Sequence, residues 1–235
     1  MTQAPAQQSG DVRFVGRIGF VVVIIAVVAL GVHPPGSTDL YDDGQRFLEH
    51  IGFLWVAIHL VAALALMVLP LVIDVWARNL ANPRAVLLGR WATLLAVIGV
   101  ALGALHLLAT DTMTFLAFSD TYAAGSDTSA ANVGADILLR IHAATLLAWV
   151  LTFYFAFPAV AGMAARADGR YPSWFGMSAW VGAALAMAAS VVTLTERQWT
   201  TLSEMVLFRI SATVVVIWLL WLTWWMRQGS VASQV

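Results

Sequence analysis

Cysteine and lysine are both absent from this 235-residue chain, and charge of either sign is scarce. Without cysteine there are no disulfides, no thiolate metal sites and no thiol nucleophile. Without lysine every basic residue is an arginine, which excludes Schiff-base chemistry, attachment of retinal included. Charged residues make up 11% of the chain and hydrophobic ones 61%, whereas an ordinary soluble domain carries about 25% charged residues. A water-soluble fold cannot hide that much apolar surface. The net charge of −1 gives no reason to expect nucleic acid as a partner.

What the chain does have is six long stretches without a charged residue: Ile18 to Val32, Ile51 to Ile73, Trp91 to Thr110, Ile141 to Ala165, Trp174 to Leu194 and Ile210 to Met226. Each approaches the roughly 20 residues that a helix needs to cross a hydrocarbon core about 30 Å thick. Because a bilayer offers backbone groups no partners, continuous helices are the expected form. The expected fold class is therefore all-α, a polytopic membrane bundle of about six transmembrane helices over residues 13–228, embedded in a lipid bilayer. Residues 1–12 and 229–235 are polar and read as disordered tails. The first stretch follows Arg13 and Arg17 as a signal peptide would, but Gly31-Val32-His33-Pro34-Pro35 has no small-x-small cleavage site, so it reads as a true first helix.

Alternating the connections gives one face Arg13, Arg17, Arg78, Arg84, Arg90, Arg166, Arg170 and Arg227 with three acids, Asp11, Asp74 and Asp168. The opposite face holds four Arg and ten acids. Arginine excess marks the cytoplasm, so both termini are expected there, with the chain in the cell inner (plasma) membrane. The connections around Asn82-Pro83 and Asp168-Gly169 read as tight turns. The outward connections, 33–46 and 111–135, are longer, and Asp43 and Asp136 are placed to cap the second and fourth helices.

Gly99-x-x-x-Gly103 and Gly182-x-x-x-Ala186-x-x-x-Ser190 are spacings that let helices approach closely in lipid. Trp218, Trp221, Trp224 and Trp225 read as an interfacial anchor belt. His50, Trp55, Pro70, Arg78 and Trp91 echo His142, Trp149, Pro158, Arg166 and Trp180 at offsets of 88 to 94, the mark of a duplicated hairpin or of a biased composition.

Coordinating groups inside a membrane are costly and are functional candidates by default. His50, His106 and His142 fall at one depth near the outward ends of the second, third and fourth stretches. At about 100° per residue, His106 shares the close-packing face of Gly99 and Gly103, and His142 shares a face with Thr145, Leu146 and Trp149. The second and fourth helices run parallel, which lets His50 and His142 meet across the interior. His59 lies about 14 Å deeper than His50 and half a turn round, and is expected to be buried without a ligand role. Two axial histidines would hold a b-type haem. Three, with Glu49, Asp111 or Asp136, would suit copper or zinc. Alternatively, all three are interfacial residues solvated by headgroups.

The run Arg140-Ile141-His142, with Trp149 seven residues after the histidine and then Pro158, resembles the copper-resistance D family of bacterial membrane proteins. That family often has glycine after the tryptophan, where this chain has Val150. The resemblance covers about 25 residues and implies an outward-facing metal site in which His142 takes part. The expected function is accordingly an outward site of His50, His106 and His142, rimmed by Glu49 and Asp111, binding haem b or copper for electron transfer or copper handling. Its alternatives are an accessory or anchor subunit whose outer loops dock partner subunits of a membrane complex, and a small-solute transporter.

Overall fold

The structure is a computed structural model that describes residues 5–31, 52–111, 129–196 and 206–228. Six helices carry it: α1 (Pro5–Gly31), α2 (Gly52–Arg78), α3 (Pro83–Ala104), α4 (Ser129–Asp168), α5 (Ser173–Glu196) and α6 (Arg209–Gln228). All six are long and apolar enough to cross a membrane, and no strand occurs among the described residues. The chain is an all-α, multi-pass membrane protein.

Each helix packs against its neighbour in the chain, and α6 packs back on α1 to close a ring. Small residues make the closure tight. A Cβ on Gly16 would lie 2.7 Å from the Met226 backbone and would also meet the Arg227 backbone nitrogen. The centre of the ring is filled by aromatic rings at the end where the hairpin turns lie, the turn end. There Trp218 stacks on Phe175 at 5.0 Å and meets Trp76 edge-on at 6.1 Å. The opposite end, where α3 and α4 bring histidines together, is the histidine end.

The turns form where their residues predict. Asn82 accepts from the Arg84 backbone N–H at 2.8 Å and Pro83 opens α3. Gly169, at φ 78°, ends α4 in the left-handed conformation that glycine adopts without a Cβ penalty. The two turns are also joined. Arg170 donates from Nε and Nη2 to the two Asp168 oxygens at 2.6 and 2.8 Å, and from Nη2 to the Asn79 carbonyl at 2.6 Å. Asp168 in turn accepts from the Ala81 backbone N–H at 2.8 Å. The Asp168 side chain is fully buried, so this bidentate pair works where charge-assisted bonds are strongest. Beneath it the Trp76 indole donates to the Tyr171 hydroxyl at 2.9 Å. Burial above all pushes the Tyr171 phenol up, so it stays protonated as an acceptor throughout the physiological range.

Three expectations are corrected. The first helix begins at Pro5, so residues 5–12 continue α1 rather than forming a tail; Pro at the first helical position and Ala-Gln-Gln after it are compatible with helix. Trp218 is 1% exposed, on the inward stripe of Ser211, Val215, Leu222 and Met226, so it belongs to the core while Trp221 stays 43% exposed. Finally, α4 starts at Ser129, which puts Asp136 two turns inside the helix and not at its cap.

Candidate functional site

Two helices depart from α geometry, α3 at the histidine end and α4 near the middle of its span. α3 runs on as a π-helix from Leu105 to Asp111, and α4 changes to a π-helix over Val150–Ala156 before resuming at Phe157. The second departure has a local cause. Pro158 has no N–H and its ring would collide with the carbonyl four residues back, at Tyr154; a widened turn relieves both problems. π-Segments of this kind frequently mark functional sites.

His106 is the second residue of the α3 π-segment and is 5% exposed. His142, half-buried on α4, faces it, with ring centroids 4.5 Å apart and planes tilted by 49°. Trp149 lies two turns deeper on α4, its ring 5.7 Å from that of His106. Its place is made by Gly103, where a Cβ would fall 2.6 Å from the indole nitrogen. One turn further in, Phe153 covers Gly99 in the same way, with its Cβ 2.8 Å from the Cβ position of that glycine. The glycine pair thus admits two large rings of α4 against the α3 backbone, and His106 sits at the outer end of that seam.

Thr145 links the His106 imidazole to the backbone of His142. Its hydroxyl donates to the His142 carbonyl at 2.9 Å, and its oxygen lies 3.3 Å from His106 Nδ1. When its proton goes to the carbonyl, the hydroxyl is free to accept from Nδ1–H, the arrangement that belongs to the Nδ1–H tautomer of His106. In that tautomer the neutral ring has its lone pair on Nε2, a form in which imidazole binds a metal. The Trp149 Nε1–H is buried and makes no hydrogen bond among the described residues.

His106 and His142, expected to converge, do come together, and the face shared with Gly99, Gly103, Thr145 and Trp149 is the one that joins them. His50 and Glu49 lie outside the described residues. So does the side chain of Asp111, whose backbone ends the π-segment. Among the described residues no group of three or more histidine and carboxylate side chains is placed to hold a metal. His59 is 1% exposed on α2, buried as expected. Thr145 and Trp149 were visible in the sequence only as face-mates of His142; their partner His106 sits in a π-segment of α3 that has no signature in hydrophobic spacing.

The pair discriminates between ligands by its separation. Two axial imidazoles on a haem place their nitrogens about 4 Å apart, twice a metal–nitrogen bond of about 2 Å, with the porphyrin plane between them. Rings centred 4.5 Å apart leave no room for that plane. A single ion held at an angle by two imidazoles needs much less movement. No family model matches the chain, and no curated protein or solved structure is significantly similar to it, so the resemblance of α4 to the copper-resistance D family rests on His142, Trp149 and Pro158 alone.

Proposed function

We propose that this chain is a metal-binding protein of the inner membrane, with its turn end in the cytoplasm, that holds a copper ion at the outward end of the α3–α4 seam for copper handling or electron transfer. The observation that carries it is the contact of His106 with His142, at 4.5 Å, with the Thr145 hydroxyl 3.3 Å from His106 Nδ1. In this reading His106 and His142 supply two imidazole nitrogens, and His50, Glu49 and Asp111 complete the coordination. Histidine with carboxylate suits copper or zinc by chemistry, and the resemblance of α4 favours copper. The orientation is supported by the eight arginines at the turn end against four opposite. A small-solute transporter fits less well, because aromatic rings fill the centre of the turn half and leave no polar path there.

Metal analysis and absorption spectroscopy of the purified protein test the site. The expected result is about one copper per chain after loading, lost in both His106→Ala and His142→Ala. A Soret band, or full copper binding in both variants, overturns the reading. For the orientation, a cysteine introduced at Asn82 should react with a membrane-impermeant maleimide only after the cells are permeabilised; labelling of intact cells reverses it.

A further inference from the structure

At the turn end of α1, Arg13, Arg17 and Arg227 are exposed, and none pairs with a carboxylate among the described residues. Helical rotation places Arg13, Arg17 and Phe20 within about 60° of one another on α1. The Arg227 guanidinium of α6 lies over that same Phe20, at 5.8 Å, and over Trp224, at 4.6 Å. The close approach of the helices at Gly16 brings these groups onto one seam. The acids of this end are engaged or turned away. Asp74 holds Arg78 at 2.7 Å, Asp168 holds Arg170, and Asp11 falls on the side of α1 opposite Phe20. Three guanidinium groups on one seam, with no carboxylate partner among the described residues, build up a local positive charge that favours an anion among them. Stacking on aromatic faces also orients Arg227 and leaves its N–H edge for an acceptor.

The same side of α1 continues into the membrane as exposed Val21, Ile24 and Val28. Beside them an apolar groove of about 340 Å³ is lined by Ile24, Ile25, Val28 and Ala29 of α1 and by Ala57, Ile58 and Val61 of α2. Val28 lies 11 residues from Arg17, roughly 16 Å along the helix, within the reach of an acyl chain. A cationic cluster at the interface above an apolar groove matches one molecule that has both parts. We propose that the α1–α6 seam binds an anionic glycerophospholipid, its phosphate held by Arg13, Arg17 and Arg227 and an acyl chain lying in the α1–α2 groove. Arginine suits this role because its planar fork bonds phosphate oxygens in pairs.

The test uses the full chain in neutral detergent and native mass spectrometry with phosphatidylglycerol, phosphatidylcholine of the same chains, and free glycerol phosphate. Phosphatidylglycerol should bind in preference to phosphatidylcholine, and glycerol phosphate should not bind measurably. Each interfacial arginine contributes about five-fold in affinity for anionic lipid, so Arg13→Gln, Arg17→Gln and Arg227→Gln together should lower phosphatidylglycerol binding by about 100-fold. Arg84→Gln with Arg90→Gln, on α3, should leave it unchanged. Should the triple variant fail to fold, Arg17→Gln alone tests the site, with a loss of about five-fold expected. Equal binding of the two lipids, equal losses in the α3 variant, or unchanged affinity in Arg17→Gln overturns the proposal. Glycerol phosphate binding as tightly as the lipid would remove the groove from it.

Discussion

At the turn end, α2, α5 and α6 meet through stacked rings, and Asp168 with Arg170 ties two hairpin turns together by regular, fully engaged bonds. At the histidine end, α3 abandons α geometry, a tryptophan N–H is buried without a bond among the described residues, and two imidazoles touch, while α4 changes to a π-helix just below them. The polar groups of the turn end find partners, whereas the histidine end departs from regular geometry and leaves a buried donor unpaired among the described residues. Proteins break local rules where function demands it and offset the cost elsewhere.

The comparison predicts unequal responses to substitution, the largest at the turn end. Asp168→Ala removes a carboxylate with a fully buried side chain and takes the partner from the Arg170 charge, while the exposed Ala81 N–H can turn to water. Breaking a buried pair by deleting one partner costs about 3–5 kcal/mol; because Arg170 keeps some contact with water, about 2–4 kcal/mol is expected here. Unfolding of the purified protein in detergent measures it. A cost below about 1 kcal/mol would show the pair to be ordinary surface electrostatics and would erase the contrast between the halves.

Gly103→Ala should have the next largest effect. The new Cβ would lie 2.6 Å from the Trp149 indole nitrogen, so the ring must shift. Overpacking of this kind costs about 1–3 kcal/mol. The shift is transmitted to His106 through its contact with Trp149, so copper binding should weaken as well. Gly89→Ala provides the comparison, because its Cβ would fall 2.8 Å from the Ala77 Cβ, well away from the histidines. It should lower stability by a similar amount and leave copper binding untouched. Equal loss of copper in both variants would reduce the effect of Gly103 to general loosening.

How much of this was legible in the sequence follows the range of the interactions. The six spans were plain because each is a continuous apolar run, and the turns because Asn82-Pro83 and Asp168-Gly169 act on their immediate neighbours. The seam of His106 with His142 was legible in part, since helical rotation puts Gly99, Gly103 and His106 on one face. Trp218 was misplaced because a cluster of tryptophans near a helix end fits both an interfacial belt and a core, and only the facing stripe of α6 decides between them. The tie between the turns joins residues 87 and 91 positions apart, and nothing local announces it. The arginine cluster was visible only as a count at one end; that three of its members share a seam depends on α6 packing against α1.

The smallest effect on stability, and the sharpest on the site, should come from Thr145→Val. The change keeps the shape of the side chain and removes one hydroxyl, which donates to the His142 carbonyl and accepts from His106 Nδ1. Hydrogen bonds between membrane helices contribute only about 0.6 kcal/mol on average, and the His142 carbonyl keeps its place in α4, so unfolding should barely move. The imidazole is a different matter. Without an acceptor at Nδ1 the neutral His106 ring is no longer held with its lone pair on Nε2, and it can rotate. Loss of such an orienting partner typically lowers metal affinity 10- to 100-fold. Copper titrations of the wild type, Thr145→Val and Thr145→Ser should therefore separate, with serine restoring most of the affinity because its hydroxyl can make both bonds. If valine binds copper as tightly as threonine, the tautomer of His106 is set by some other group, and the contact between the two rings would have to stand without the hydroxyl that orients one of them.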